Sequence, residues 1–575
     1  MRRASLILSL LLLSGIAIFA AAANVYLQHN LVADTPGIAD VTDPNLINPW
    51  GISTSAASPF WISDNGAGRS TLYNGSGAIV PLVVTIPGTS GTGDPTGQVN
   101  NNTTGFVLAN GKPASFIFST EDGTIAAWNA GSTASVMVTS TNAVYKGLAV
   151  ASTASGPMLY AANFRSGKID VFNGSFAPTT VSGGFADASV PANFAPFNIS
   201  ALGGKLYVAY AMPDNELHDD VAGPGNGYVA VFDFNGNLIT HLVSQGPLNS
   251  PWGLAIAPST FGAFAGDLLV GNFGDGKINA FDPATGAMAG TLQDANGNPI
   301  VIDGLWALLF GNGATGGDKN TLYFTAGPGD EEHGLFGSLA PPETILSIQN
   351  GASQLPGNIA PGEVVVITGL TIGPSPTASA VLPTSGAVSA SLAGDSITFN
   401  GWPAPILYTG ASQVAVLVPY ELGGFFSANL VIKYHGQTAQ MTVPASYSAP
   451  GIFTMDYTGS GQAVAINSDG SINSTNNPAA TDSVITFYAT GEGSTYPPGE
   501  DGVVNDRIIR TPQLPVSLTI GGQPARIVYA GTAFGSVQGV MQVEALIPSG
   551  VTGTVPLELT VGAASSQTTA TITVH

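Results

Sequence analysis

The sequence predicts an all-β fold, in which a six-bladed β-propeller is followed by two immunoglobulin-like β-sandwich domains. Two internal repeats lead to this prediction. An apolar run, a polar glycine turn and a second apolar run recur six times between Trp50 and Leu339, and residues 397–410 are repeated at residues 518–531. A repeat of roughly 50 residues with several short strands is typical of a propeller blade, because one small sheet cannot bury both faces without neighbours.

The first 23 residues have the composition of a secretory signal peptide. Two arginines follow Met1, an apolar stretch runs from Leu6 to Phe19, and small residues continue to Ala23. These are the three parts of a cleaved leader. No later segment is apolar for long enough to cross a bilayer. We therefore expect a mature chain without a transmembrane span that is extracellular, attached to the cell surface or periplasmic.

The charge balance excludes one class of partner. The chain has 36 acidic and 14 basic residues and a net charge of −22, which opposes binding to nucleic acid and to anionic lipid. Only 9% of its residues are charged and 44% are hydrophobic, which is typical of a folded protein. Because there is no cysteine, disulfides, thiolate catalysis and cysteine metal sites are excluded.

The propeller is predicted over residues 24–340. The repeats place its third strands after glycines such as Gly123 and Gly276. The last repeat stops before an outer strand appears, so residues 25–32 are predicted to pair there and close the ring. The inner strands are predicted at residues 49–52, 114–117, 147–150, 197–199, 251–254 and 305–308.

The sandwich domains are predicted over residues 341–447 and 448–575. After Pro341 and Pro342 the strands become longer and richer in valine and threonine, and the pairing of the blades disappears. Short alternating strands with regular turns over about 110 residues are typical of an immunoglobulin-like sandwich. The duplicated segment indicates two such domains, and we expect them to act as spacers or attachment units.

Two motifs of the N-terminal part resemble motifs of known propeller families. Asn48-Pro49-Trp50-Gly51-Ile52 and Ser250-Pro251-Trp252-Gly253-Leu254 resemble an uncharacterised family of exported bacterial propellers and, more distantly, NHL-repeat and gluconolactonase-like propellers with six blades. Gluconolactonase-like propellers hold a catalytic divalent metal at the ring axis. The resemblance puts Asn249 and Asp303 where that family has metal ligands. The family's glutamate near the first inner strand is missing, and Asn48 stands in its neighbourhood, which argues against a lactonase.

A second resemblance covers the C-terminal part. Ser448-Ala449-Pro450-Gly451-Ile452-Phe453 and Tyr488-Ala489-Thr490-Gly491-Glu492-Gly493 are similar to tandem immunoglobulin-like modules of secreted proteins from soil acidobacteria. Together the two resemblances cover nearly all of the mature chain. They imply an architecture and no activity.

The polar residues of the propeller concentrate at one end of the predicted ring. In a meander each strand reverses the last, so the start of an inner strand and the turn between the second and third strands lie at the same end. Two insertions, at residues 213–220 and 329–333, belong to that end. The candidate ligand-face residues are Asp64, Glu121, Asp122, His218, Asp219, Asp220, Asn249, Asp275, Asp303, Asp330, Glu331, Glu332 and His333.

These residues support two interpretations. Converging carboxylates around an axis can bind a hard cation such as calcium, with Asn249 and Asp303 as ligands, and His218 and His333 could ligate or act as general bases. Alternatively they are solvated loop residues that keep an exported protein soluble, and this interpretation is the favoured one. The glycine-rich segment at residues 271–278 ends in Ile278, where a phosphate-binding loop needs serine or threonine, so it is interpreted as a blade turn.

We expect a non-enzymatic binding protein of the cell exterior, because the sequence shows no assembled catalytic set and no Gly-x-Ser-x-Gly motif. Its partner could be a protein, a glycan or a small molecule. Two alternatives stay open: a metal-dependent propeller hydrolase or lactonase, and a purely structural surface protein.

Overall fold

The computed structural model describes residues 24–383, 386–434, 436–504 and 508–575, so the predicted signal peptide, residues 1–23, lies outside the described residues. Within these ranges the only helices are three single 3-10 turns, Asn65–Ala67, Gly262–Phe264 and Tyr420–Leu422, and the all-β prediction is confirmed. No helix of the described ranges is long and apolar enough to span a membrane. The described residues form two compact units, one ending at Pro341 and one beginning at Pro342.

The unit that ends at Pro341 contains 25 strands. Their bounds are β1 Leu27–Ala33, β2 Val41–Thr42, β3 Pro49–Ser53, β4 Phe60–Asp64, β5 Arg69–Tyr73, β6 Ile79–Thr85, β7 Pro95–Asn100, β8 Phe116–Thr120, β9 Thr124–Trp128, β10 Ser135–Thr139, β11 Tyr145–Thr153, β12 Gly156–Asn163, β13 Lys168–Asn173, β14 Pro178–Thr179, β15 Ala195–Leu202, β16 Lys205–Ala211, β17 Tyr228–Phe232, β18 Leu238–Ser244, β19 Pro251–Ile256, β20 Leu268–Asn272, β21 Ile278–Phe281, β22 Met288–Thr291, β23 Leu305–Phe310, β24 Leu322–Ala326 and β25 Leu335–Ala340.

These strands form a ring of sheets. Five sheets have four strands each, in the orders β3-β4-β5-β6, β7-β8-β9-β10, β11-β12-β13-β14, β15-β16-β17-β18 and β19-β20-β21-β22. The remaining sheet has the order β23-β24-β25-β1-β2. The inner strands β3, β7, β11, β15, β19 and β23 contact one another in turn, and β23 contacts β3. The ring is therefore closed, which is the arrangement of a β-propeller.

The first strand completes the last sheet, as the sequence analysis expects. β1 lies antiparallel to β25, with Leu27 opposite Ala340 and Ala33 opposite Leu335. This pairing covers the hydrogen-bonding edge that β25 would otherwise expose.

One inner strand differs from the sequence prediction. We expected it at residues 114–117, but Phe116 begins β8, the second strand of its sheet, and β7 is the inner strand. β7 is not recognised as an apolar run, because it carries Thr96 and Gln98 where other inner strands have apolar residues.

The blades bury both faces of each sheet against neighbouring sheets. In β16, Leu206, Val208 and Tyr210 pack in one hydrophobic cluster with residues of β11 and β12. The intervening Tyr207 and Ala209 pack in a second cluster with residues of β19 and β20. The period of two along the strand thus supplies both interfaces of one blade.

Each inner strand begins with a β-bulge. In five of the six, the pairing with the second strand is interrupted just after the first paired residue, and in β15 it is interrupted after the second, Pro196. A bulge redirects a side chain and bends its strand. The residues skipped by the pairing include Trp50, Thr96, Lys146, Phe197, Trp252 and Trp306.

Glycines next to these bulges let neighbouring inner strands approach closely. A Cβ atom added to Gly97 would lie 2.5 Å from the backbone nitrogen of Leu148, and one added to Gly253 would lie 2.8 Å from the carbonyl oxygen of Trp306. Both distances are shorter than a carbon atom can tolerate, so these positions need glycine because of the neighbouring strand.

The unit that begins at Pro342 contains 23 strands. Their bounds are β26 Thr344–Asn350, β27 Val364–Leu370, β28 Ala378–Ser379, β29 Ser391–Leu392, β30 Asp395–Phe399, β31 Trp402–Pro403, β32 Ile406–Thr409, β33 Gln413–Leu417, β34 Ser427–Tyr434, β35 Gln437–Pro444, β36 Gly451–Ile452, β37 Gly461–Gln462, β38 Ala465–Ile466, β39 Val484–Thr490, β40 Thr495–Tyr496, β41 Thr511–Pro512, β42 Val516–Ile520, β43 Gln523–Pro524, β44 Arg526–Thr532, β45 Val540–Leu546, β46 Gly553–Val561, β47 Ala564–Ser565 and β48 Ala570–Val574.

Two sandwiches make up this unit. In the first, sheet β26-β27-β33-β32-β28 shares one core with sheet β29-β30-β34-β35. In the second, sheet β36-β39-β45-β44 shares a core with sheet β37-β48-β46-β42-β43. The duplicated sequence forms β30 to β32 in the first sandwich and β42 to β44 in the second. The name immunoglobulin-like stays a prediction for both.

The two sandwiches share a hydrophobic cluster. Val365 and Ile367 of β27 face the core of the first sandwich, whereas Val364 and Val366 pack in a cluster that includes Phe453 and other residues of the second. β27 is therefore buried on both faces.

Buried carboxyl groups lie beside this cluster. Glu363 accepts a hydrogen bond of 2.8 Å from Asn350 Nδ2 and one of 2.7 Å from the backbone nitrogen of Ala360. Glu492 has a buried oxygen, Oε2, without a hydrogen-bond partner. Burial raises the pKa of Glu492 to about 7 and that of Glu363 well above its usual value. In the folded chain both groups therefore keep their protons to higher pH than free carboxyl groups do.

The raised pKa of Glu492 predicts a loss of stability with rising pH. Between about pH 4.5 and pH 7 the folded chain holds a proton that the unfolded chain releases, so the stability falls through that window and stays lower above it. Replacing Glu492 by glutamine, which mimics the protonated acid, should leave the stability near pH 5 almost unchanged. Near pH 8 the variant should be more stable than the natural chain by about 3 kcal/mol.

Urea unfolding of the full chain, followed by hydrogen exchange in peptides from β39 and β45, measures this difference. Glu558→Gln, at a half-exposed position of the second sandwich, is the control and should show no such change with pH. Equal pH dependence of Glu492→Gln and the natural chain would contradict the prediction.

Candidate functional site

The six bulges lie at one end of the ring. In every blade the first residue of the inner strand is paired with the last residue of the second strand, as for Pro49 and Asp64, so the turns after the second strands lie at this end too. The sequence analysis expects this arrangement. We call this the acidic end, and its central polar residues are Asn48, Asn65, Glu121, Lys146, His218, Asp219 and Glu331.

A buried lysine is at the centre of the acidic end. Lys146 Nζ contacts Glu121 Oε1 and lies 3.2 Å from Asp219 Oδ1, although the lysine side chain is only 1% exposed. Its ammonium group also lies 4.9 Å from the centroid of the Trp50 ring, a distance that permits a cation–π interaction. Burial alone would lower the pKa of Lys146, but the carboxylates of Glu121 and Asp219 outweigh it and raise that pKa.

Two asparagines hold the carboxylates in place. Asn65 Nδ2 donates a hydrogen bond of 2.9 Å to Glu121 Oε2, and Asn48 Nδ2 donates one of 2.6 Å to Glu331 Oε2. Trp306 Nε1 in turn donates a hydrogen bond of 3.2 Å to Asn48 Oδ1, which fixes the orientation of that amide. Asn48 has a φ of 44°, a left-handed conformation that asparagine tolerates better than most residues.

Glu331 is held next to like charges. Asp330 and Glu331 both have left-handed backbones, with φ of 55° and 67°, so the loop after β24 turns sharply at this point. Burial raises the pKa of Glu331 to about 7, and the charges of Glu121 and Asp219 add to the rise, while Asn48 and Lys146 oppose it. Burial is thus the main reason that Glu331 keeps its proton to higher pH, and the neighbouring carboxylates reinforce it.

A layer of aromatic rings lies along the axis, formed by bulged residues of the inner strands together with Phe273, which follows β20. Trp50 and Trp306 are stacked, with ring centroids 3.5 Å apart, and Phe273 stacks on Trp306 at 4.0 Å. Trp252 meets Trp306 edge-on at 5.8 Å. The three tryptophans are buried in one cluster with Phe197. These rings give the acidic end a rigid apolar floor.

Three side chains of the acidic end could hold a metal ion. Candidate ligand atoms of Glu121, His218 and Asp219 lie within 4.8 Å of one another, and His218 Nδ1 is 2.9 Å from Asp219 Oδ1. Two carboxylates and an imidazole suit zinc or manganese better than calcium, which takes six to eight oxygen ligands. The ammonium group of Lys146 contacts the same two carboxylates.

Comparison with known proteins assigns the chain to a family. The uncharacterized protein R648 of Acanthamoeba polyphaga mimivirus is 34% identical over 331 residues, which cover 55% of this chain and 80% of the viral protein. The uncharacterized protein L690 of the same virus is 32% identical over 331 residues and is covered to 86%. The chain belongs to the family of these two proteins. No family model matches it.

Solved structures give weaker likenesses. The streptogramin B lyase structure has a TM-score of 0.29 at 11% identity and covers 55% of this chain and 96% of the lyase. A Bacteroides thetaiotaomicron protein of unknown function has a TM-score of 0.36 at 12% identity, and the match covers 55% of this chain and 76% of that protein. An α-L-arabinofuranosidase of Fusarium graminearum, Arb93A, has a TM-score of 0.35 at 13% identity, and the match covers 55% of this chain and 98% of the arabinofuranosidase. At these scores the likenesses give no argument about activity.

The two residues predicted as metal ligands make loop contacts in this member of the R648 family. Asn249 Oδ1 accepts a hydrogen bond of 2.6 Å from the backbone nitrogen of Gly223, and Asp303 Oδ2 accepts one of 2.9 Å from that of Gly329. The contact of Asp303 anchors the insertion at residues 329–333, and the contact of Asn249 holds the chain just after the insertion at residues 213–220. A metal site at Asn249 and Asp303 stays a prediction.

Three other predicted face residues stabilise local structure. Asp64 is fully buried and accepts a hydrogen bond of 3.2 Å from Thr71, and burial raises its pKa well above the usual value. Asp122 accepts a hydrogen bond of 2.5 Å from the backbone nitrogen of Thr89. Asp275 accepts one of 3.0 Å from Asn272 within its turn.

The remaining predicted residues lie in the two insertions. His333 Nδ1 is 2.9 Å from Asp34 Oδ2, and this hydrogen bond and the charge of Asp34 raise the pKa of His333. Asp220 has a buried oxygen without a hydrogen-bond partner, and burial raises its pKa. Asp330 and Glu332 are exposed. Of the predicted set, Glu121, His218, Asp219 and Glu331 come together at the centre.

The sequence analysis missed Lys146 and Asn65, and it noted Asn48 only as a substitute for a glutamate. Lys146 had a detectable signal, because it is one of only 14 basic residues and lies inside the apolar run from Val144 to Val150. A charge in a strand that is buried on both faces needs a partner. Asn65 had no comparable signal.

Removing the buried cation should destabilise this family member. Lys146→Met leaves Glu121 and Glu331 close together without a counter-charge, and loss of one partner from a buried ion pair costs about 3 to 5 kcal/mol. Glu121→Gln in the same chain should restore part of that loss. Guanidinium unfolding monitored by tryptophan fluorescence measures both effects.

Lys277→Met is the matched control. Lys277 forms a 3.1 Å pair with Asp275, but its side chain is 39% exposed, and such a pair contributes about 1 kcal/mol or less. If the two methionine variants unfold at the same guanidinium concentration, Lys146 does not stabilise the propeller as argued.

Proposed function

We propose that this protein is an exported, non-enzymatic binding protein, and that the acidic end of its propeller recognises a positively charged group of a partner. The observation that supports the proposal is an excess of carboxylates around one lysine. Glu121, Asp219 and Glu331 face Lys146 and His218, and Asp219 is exposed to solvent.

Like charges within the site raise the pKa values of its own carboxyl groups. After burial, the charges of Glu121 and Asp219 contribute to the raised pKa of Glu331. After burial, the charges of Glu121 and Asp122 do the same for Asp94. A site that resists the ionisation of its own carboxyl groups gains stability when a cation binds, because the cation compensates the repulsion.

A protein partner with exposed lysine or arginine fits this site better than a neutral glycan. The exposed Asp219, Asp330 and Glu332 surround the central group, and the net charge of the chain is −22. Such a surface accelerates the approach of a basic partner and repels acidic ones. Arginine can in addition make two parallel hydrogen bonds to a carboxylate.

The contacts of Lys146 argue for binding rather than metal catalysis. Its ammonium group contacts both Glu121 and Asp219, so a divalent ion between these carboxylates would have to displace a buried cation. The grouping of Glu121, His218 and Asp219 nevertheless supports the alternative function, a metal-dependent hydrolase. For a purely structural surface protein, the remaining alternative, no ligand is expected at this end.

The affinity for a cationic probe should rise with pH. An oligo-arginine peptide should bind the full chain more tightly near pH 8 than near pH 6, because Glu331 loses its proton through about pH 7. Glu331→Gln should remove a large part of this dependence, and Asp219→Asn should weaken binding at both pH values. Calorimetric titration measures the affinities, which should also decrease with added salt.

Glu332→Gln, at the exposed neighbouring position, is the control for the loss of one negative charge. His218→Gln tests whether the imidazole beside Asp219 contributes to binding. Absence of binding, or binding that Asp219→Asn and Glu331→Gln leave unchanged, would contradict the proposed site. A bound divalent ion that His218→Ala removes, together with a melting temperature lowered by EDTA and hydrolysis of a lactone, would instead support the hydrolase.

We propose export from the composition of residues 1–23 alone. When the full chain is produced in a bacterial host, the protein recovered outside the cytoplasm should begin near Asn24, and mass spectrometry of the intact chain tests this. Replacing apolar residues of the stretch Leu6 to Phe19 by charged ones should retain the uncleaved chain in the cytoplasm. Export of that variant would contradict the proposal.

A further inference from the structure

A cavity of about 270 Å³ lies within the ring, lined by residues of all six inner strands. Its lining includes Gly51, Gln98, Leu148, Asn198, Trp252 and Ala307. Gly51 and Ala307 directly follow Trp50 and Trp306 in their strands, so the cavity begins beyond the aromatic layer as seen from the acidic end. It continues to Thr54 and Leu202, where the inner strands end.

The chemistry of this cavity differs from that of the acidic end. None of its lining residues is charged. The polar ones carry amide or hydroxyl groups, as in Ser53, Asn100 and Ser200, and they alternate with aliphatic side chains such as Leu254 and Leu308. A charged ligand would lose its hydration here without gaining a counter-charge, which is costly. The lining therefore suits an uncharged molecule with both polar and apolar surface.

Several polar residues that line the cavity are only partly buried. Ser200 and Asn100 are half-buried, and Asn102 is exposed. Hydroxyl and amide groups can both donate and accept hydrogen bonds. The lining therefore suits a neutral ligand that carries polar groups of its own.

Gln98 is held in one orientation at the wall of the cavity, because its Nε2 donates hydrogen bonds to the carbonyl oxygens of Gly51 and Trp61. The wall is therefore rigid at this point. A hydroxyl group can both donate and accept a hydrogen bond, so a molecule with several hydroxyl groups matches a lining of amide and hydroxyl groups.

We propose that this cavity is a binding site for a neutral hydroxylated molecule of the size of a single sugar ring. The cavity volume corresponds to roughly nine water molecules in the liquid, and a monosaccharide replaces about that much water. The aliphatic side chains offer contact to the carbon–hydrogen faces of such a ring. This site is separate from the acidic end, and neither proposal depends on the other.

The test uses the full chain and a panel of neutral pentoses and hexoses, with glucuronate and glucosamine as charged counterparts. Calorimetric titration and saturation-transfer NMR should detect at least one neutral sugar and neither charged one. Ser200→Ala removes one hydrogen-bonding group from the half-buried part of the lining and should weaken binding roughly three- to tenfold. Ser155→Ala, at an exposed position between β11 and β12, should leave the affinity unchanged.

A second variant blocks the cavity without removing a buried contact. Ala201 lines the cavity and is exposed, so Ala201→Trp should fold normally and abolish binding. Asp219→Asn and Glu331→Gln should retain the sugar affinity, which distinguishes this site from the acidic end. Failure of every neutral sugar to bind, equal binding of the charged sugars, or full affinity in folded Ala201→Trp would overturn the proposal.

Discussion

The interruption of strand pairing at the start of each inner strand shapes the whole propeller. Six inner strands converge on one axis, and where they approach most closely a side chain cannot fit between them, as at Gly97 and Gly253. The bulge turns the preceding side chain out of the ladder. In four blades that side chain is aromatic, and the rings stack into the floor of the acidic end. The remaining two blades contribute Thr96 and Lys146.

The position of Lys146 in this series explains why carboxylates gather beside it. A lysine in the place that tryptophan occupies in other blades has its charge in a position shielded from solvent, and such a charge needs close partners. The partners come from two other blades. Glu121 follows β8, and Asp219 belongs to the insertion between β16 and β17. One ammonium group therefore ties three sheets together at the axis.

Much of the fold could be predicted from the sequence. An apolar run indicates a buried strand and a glycine turn indicates a reversal of the chain, and both can be recognised from a few neighbouring residues. The third strands after Gly123 and Gly276 and the closing role of the first strand are examples. The inner strand of the second sheet was placed wrongly because β7 carries Thr96 and Gln98, whose side chains donate hydrogen bonds to carbonyl oxygens of the neighbouring inner strands. Its pattern is therefore not apolar. Of the site, the insertions with Asp219 and Glu331 were recognised by their charges. The contact of Glu121 with Lys146 was not, because it depends on the bulge, which brings together residues of different blades.

The pairing of β1 with β25 has a consequence for the order of events during synthesis. The strand that emerges first from the ribosome finds its partner only when the last strand of the propeller has been made. Until then the hydrogen-bonding edges of β1 and β25 are unpaired, and a strand of a neighbouring nascent chain could pair with either of them. Rapid joining of these two ends is therefore a requirement for producing this protein without entanglement between copies.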